Sequence, residues 1–100
     1  MAFGIKRTEL DDWKKKVLNG EIAFITHYWQ HPRFPGMTTV TKAGCNDISK
    51  LIKWGARYNL QEEWIHQRDH YPHFDLIGET QIKVLVAEGL ANHLQRFKIR

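Results

Sequence analysis

Among its 100 residues the chain carries one cysteine, Cys45. An intramolecular disulfide is therefore impossible, and a zinc site built on several thiolates of one chain is excluded. A chain that does without disulfides suits a reducing compartment, and a cytoplasmic location is the expectation. No apolar run approaches the length needed to cross a membrane. Lys6, Arg7 and Glu9 break up any apolar stretch of signal-peptide type. Repeats and low-complexity tracts are absent. So are GxGxxG, the P-loop and HExxH, which leaves no nucleotide fingerprint or zincin motif to read. Proline is scarce. Pro32 and Pro35 mark one loop, and Pro72 punctuates the most unusual stretch of the chain.

What is present points to a globular protein. The 42% hydrophobic and 12% aromatic content is too apolar for a disordered segment. One hundred residues make one domain, residues 1–100. The formal net charge of +4 mildly favours anionic partners, although many proteins carry such a charge for solubility alone.

The hydrophobic periods predict the elements. Leu10, Trp13, Val17 and Leu18 recur at helical spacing, with Thr8 as N-cap and Asn19-Gly20 as stop, which predicts a helix over 9–19. Ile22 to Thr26 reads as a strand covered on both faces. Residues 30–37 form a loop. Thr38 to Thr41 is β-branched and predicts a second strand. Lys42-Ala43-Gly44 then reads as a turn into a helix capped by Asn46 or Asp47 and ended by Asn59. Residues 62–66 predict a third strand, parallel to the second through a right-handed crossover. Gly78-Glu79-Thr80 begins a last helix running to about residue 94, unless Gly89 ends it earlier. The expected fold class is α/β, a small sandwich with a three- or four-stranded mixed sheet and about three helices. Its expected core joins Trp54, Trp64 or both to Ile22, Phe24, Leu51, Leu85 and Val86.

The stretch Trp64–Leu76 concentrates the chemistry. It holds His66, Arg68, Asp69, His70, His73 and Asp75, together with Trp64, Tyr71 and Phe74. Pro72 restricts Tyr71 to extended backbone, so no helix is expected there. In extended backbone His73 and Asp75 share one face and Phe74 points the other way, into the core.

The segment "PHFDL", preceded by "LIKWGARYNLQEEWI" and followed by "QIKVLVAEGL", resembles a family of small bacterial and phage proteins of unknown function with a Pro-His-(Tyr/Phe)-Asp signature. The resemblance covers roughly residues 38 to 90 and implies a helix, a short strand, the signature, and a helix ending near Gly. The whole chain is also similar to small uncharacterised Bacillus-type proteins. Neither resemblance implies an activity.

Several readings of the site compete. In the first, Lys42, Gly44, Arg68, His73 and Asp75 bind a small phosphate- or nucleotide-like anion beside the Pro-His-Phe-Asp loop. Lys42 and Gly44 would precede a helix N-terminus and Arg68 would supply a forked contact. In the second, His66, Asp69, His70, His73 and Asp75 ligate a divalent metal, with His27 or His31 adding a ligand; otherwise no cofactor is expected. In the third, His73 and Asp75 form an acid–base pair for hydrolysis, although no nucleophile stands out. Nucleic-acid binding through Arg33, Phe34, Lys53, Trp54, Arg57 and Tyr58 is disfavoured, because no recognised nucleic-acid module is present. A structural or protein-interaction module would use Trp29 and Phe34 as anchors. A homo-oligomer is compatible with any of these. The plainest alternative makes the loop a packed connection, with His73 satisfying a backbone carbonyl and Asp75 capping a turn. The first reading is preferred, and whether the chain is an enzyme stays open.

Overall fold

A computed structural model describes residues 4–30, 32–67 and 70–99. Four helices surround a three-stranded sheet. Helix α1 (Arg7–Leu18) precedes strands β1 (Ala23–Tyr28) and β2 (Thr39–Gly44). Helix α2 (Ile48–Ala56) follows, then β3 (His73–Leu76), α3 (Gly78–Ala87) and α4 (Ala91–Arg96). The α/β class and the strand count agree with the sequence pattern.

The sheet order is β1-β2-β3, and both pairs are antiparallel. The mixed sheet and the parallel crossover are therefore corrected. A parallel crossover needs the helix itself to carry the chain back along the sheet. Here residues 57–72 make the return after α2, and β3 starts beside the end of β2: His73 pairs with Gly44, and the Cys45 amide donates to the Pro72 carbonyl at 3.0 Å. The expected third strand over 62–66 is a 3-10 turn at Glu62–Trp64, followed by a single bridge from His66 to His73. Lys42, Ala43 and Gly44 are not a turn. They complete the central strand, which is hydrogen-bonded on both sides, and that pairing overrides the weak strand propensity of Lys-Ala-Gly.

Strand alternation gives the sheet two different faces. One carries Phe24, Thr26, Ala43, Thr41, Phe74 and Leu76. Its apolar members Ala43, Phe74 and Leu76 pack with Cys45, Leu51, Trp54 and Val84, and Phe24 lies against them. Leu85 is also fully buried. Of the pair Trp54 and Trp64, Trp54 joins the core and Trp64 is exposed; Val86, expected in the core, is exposed as well. Val84 and Leu85 set the buried face of α3, and the helix stops before Gly89, at φ +74°, so the next turn starts afresh as α4. Across this face runs a buried polar chain. Thr39 donates to Gln81, Gln81 donates to Thr41, Thr41 and Thr26 share a bond at 2.6 Å, and Thr26 meets Nδ1 of His93 at 2.8 Å.

The other face carries Ala23, Ile25, His27, Val40, Lys42, Gly44, His73 and Asp75. Helix α1 covers only one end of it. Trp13 and Val17 pack on Ala23 and Ile25, and the Trp13 indole donates to the Ala23 carbonyl at 3.0 Å. The uncovered end carries the polar residues.

Candidate functional site

The register makes Lys42 of β2 the direct partner of Asp75 of β3, with His27 opposite Val40 on β1. All four side chains rise from the face that α1 leaves open. With Trp29, just past β1, they line a cleft of about 280 Å³. This is near the lower end of the range for small-ligand sites.

Asp75 is held by two imidazoles. Its Oδ2 lies 3.2 Å from Nε2 of His66 and its Oδ1 lies 3.4 Å from Nε2 of His73. The two rings stack, with centroids 5.4 Å apart, because the backbone bridge sets His66 beside His73. Nδ1 of His73 lies 2.8 Å from the Tyr71 carbonyl. A carbonyl can only accept, so this nitrogen carries the proton. The plain reading of His73 as a partner for a backbone carbonyl is thus right. Asp75 does not cap a turn; its buried Oδ1 has no hydrogen-bond partner.

The charges follow from these surroundings. Burial opposes ionisation of Asp75, but the nearby His73, Lys42 and His66 outweigh it and hold its carboxyl below the ordinary value. Burial, assisted by the charge of Lys42, holds His27 below the ordinary imidazole value despite its bond to the Tyr28 carbonyl. His93, on the far face, is lowered by burial and then by Arg96.

These three shifts act in one direction. A group whose folded pKa is depressed binds its proton more readily when unfolded, so stability falls with pH below the unfolded value. His27 and His93 contribute stability above about pH 6.5 that fades as the pH drops through their lower folded values. Asp75 adds a further loss below about pH 3.9. Urea midpoints should therefore be lower near about pH 5.5 than near about pH 7.5. Equal midpoints would contradict the assignment of buried His27 and half-buried His93 as neutral imidazoles.

The residues singled out from the sequence are only partly assembled. Lys42, His73, Asp75 and His66 come together, and Phe74 is buried on the opposite face as the alternation requires. Gly44 shares their face but lies under α1. A Cβ there would stand 2.6 Å from the Trp13 ring, so Gly44 serves close packing and does not open onto the cleft. The expected anion site at the start of α2 is also corrected: Lys42 lies within β2, and the Asp47 side chain accepts from the Lys50 amide as the cap. Arg68, Asp69 and His31 lie outside the described residues. His70 is exposed with φ +65°. Among the described residues no group of three or more His, Cys, Asp or Glu side chains is arranged to hold a metal ion. His66 and His73 approach different oxygens of Asp75, not a common point. The sequence marks Trp29 only as an interaction anchor and His27 only as an extra metal ligand. Pairing Ile25-Thr26-His27 against Val40-Thr41-Lys42 in antiparallel register would have placed His27 beside the site.

No helix among the described residues is long and apolar enough to cross a membrane. Comparison with curated proteins finds 60% identity over 99 residues, 99% of this chain and 100% of the relative, with "Uncharacterized protein YneQ" of Bacillus subtilis (strain 168). The similarity to Bacillus-type proteins is thereby shown over the whole chain. No protein-family model matches, so the bacterial and phage family of the Pro-His-(Tyr/Phe)-Asp signature is not supported. No solved structure matches.

Proposed function

This chain belongs to the family of YneQ, and we propose that it binds a small anionic ligand in the cleft over β2 and β3. The observation that carries the reading is the placement of Lys42. Its side chain lines the cleft, yet it makes no ion pair within 4 Å among the described residues. Asp75, its cross-strand partner, is engaged by His66 and His73 instead. The ammonium is left to meet an external anion, over a rigid central strand. A group on a strand holds its position better than one on a loop, because two ladders of backbone bonds fix it.

Calorimetric titration of the full chain with inorganic phosphate, propionate and a nucleoside monophosphate tests this. At least one should bind in a 1:1 ratio, and Lys42→Met should weaken it by about tenfold or more, as loss of a charge-assisted contact implies. The variant should keep near-native stability, since Lys42 contributes little to the core. Binding that is unchanged in Lys42→Met would remove the cleft from consideration.

A further inference from the structure

We propose that the ligand of this cleft is a zwitterion of amino-acid type, carrying an ammonium group close to its anionic group. This rests on the reading of the cleft as an anion site and adds a second recognition end to it.

The cleft has one cationic donor and two acceptors. Lys42 is the donor. The first acceptor is Asp75, a carboxylate with capacity for about four hydrogen bonds. Its two imidazole neighbours stand at 3.2 and 3.4 Å, longer than the roughly 2.7–2.9 Å of a strong charge-assisted bond. Oδ1 is buried, which leaves Oδ2 to meet an incoming donor, and Asp75 is among the residues that line the cleft.

The second acceptor is His27. Its Nδ1 lies 3.0 Å from the Tyr28 carbonyl and must donate to it. In the neutral ring Nε2 is then a bare lone pair. His27 is itself a lining residue of the cleft, so its ring stands beside Lys42 and Asp75. The burial of His27 and the charge of Lys42 favour the neutral ring, which keeps the acceptor in place.

A simple anion would satisfy Lys42 and stand against a carboxylate and a lone pair. An amine alone would satisfy Asp75 and His27 and stand against Lys42. A molecule with both charges satisfies all three groups. The two charges must lie close together, because Lys42 and Asp75 are direct cross-strand partners on one face. The volume of about 280 Å³ suits a molecule of this size and excludes most cofactors.

The test is a matched panel on the full wild-type chain, by calorimetry at neutral pH. Glycine, β-alanine and γ-aminobutyrate are each compared with the acid lacking the amine (acetate, propionate, butyrate). Each is also compared with the amine lacking the acid (methylamine, ethylamine, propylamine). At least one amino acid should bind about tenfold tighter than both of its halves. Asp75→Asn should abolish the preference for that amino acid over its parent acid, and the acid itself should bind at least as tightly as to wild type, because a repelling carboxylate is gone. If the acids bind as tightly as the amino acids, the zwitterion inference fails and the anion reading survives. If only the amines bind, or nothing binds, both fail. The wild-type panel decides the matter even where Asp75→Asn does not fold.

Discussion

Replacing Phe74 by alanine should cost the fold about 3–5 kcal/mol, the range for truncating a buried aromatic. Phe74 is 1% exposed and belongs to the core cluster on the packed sheet face. Its ring meets Trp54 at 6.2 Å between centroids. Gly55 of α2 is shaped to it: a Cβ there would fall 2.7 Å from two atoms of the ring. The void left by truncation is walled by the rigid β2 strand and by α2, so it cannot collapse fully, and the cavity adds to the lost burial. Urea unfolding of wild type and Phe74→Ala measures the difference. A loss below about 1 kcal/mol would mean that the alternation of β3 is misread. The neighbours on the same strand, His73 and Asp75, would then be displaced from the cleft face as well.

The second large effect is expected at Gly44. Gly44→Ala adds a single methyl group, yet it should destabilise by roughly 1–3 kcal/mol through overpacking. The added carbon would lie 2.6 Å from Trp13, 3.0 Å from Val17 and 3.1 Å from the Pro72 carbonyl oxygen. Trp13 has little freedom to retreat, since its indole is tied to the Ala23 carbonyl, and the Pro72 carbonyl is itself an acceptor for the Cys45 amide. The backbone φ of Gly44 is not in the left-handed region. The expected cost is therefore one of space, not of conformation. Thermal or urea unfolding gives the value. A neutral or stabilising outcome would show that α1 can lift from the sheet, and the covered end of the cleft face would have to be redrawn.

The contrast between these two residues shows what the sequence makes legible. Pro72 followed by His-Phe-Asp announces extended backbone with its polar residues on one side. That inference needs only local geometry, and it places His73, Phe74 and Asp75 correctly. The direction of the strands is a different kind of fact. Strand, helix and strand in succession suggest a parallel crossover, and nothing local reveals that residues 57–72 return the chain to the end it left. The strand's end is hidden for another reason: β-branching marks only Thr38–Thr41, so by propensity Lys42 falls just past the strand and Gly44 before a helix. Both are fixed by tertiary pairing, which places Lys-Ala-Gly in the middle of the sheet against its propensity. The hydrophobicity of Trp64 suggests a strand, but Glu62–Trp64 form a 3-10 turn that leaves it 53% exposed. Spacing points Val86 at the core, but the buried face of α3 is set by Gln81, Val84 and Leu85. Gln81 belongs inside because Thr39 and Thr41 meet its amide, a polar pairing that hydrophobic periodicity does not register. The same limit hid His27, whose role depends on its register against β2.

The central claim is that the open half of the sheet face binds a small anion through Lys42. Chemical-shift mapping of the amide-nitrogen-labelled chain, during titration with the tightest anion of the calorimetric series, tests it most directly. The account predicts saturable shifts concentrated at Thr41–Ala43 of β2, Phe74–Leu76 of β3 and His27–Trp29, and their loss in Lys42→Met. Saturable shifts centred instead on Asp47–Lys50 at the start of α2, or shifts that persist in Lys42→Met, would contradict it.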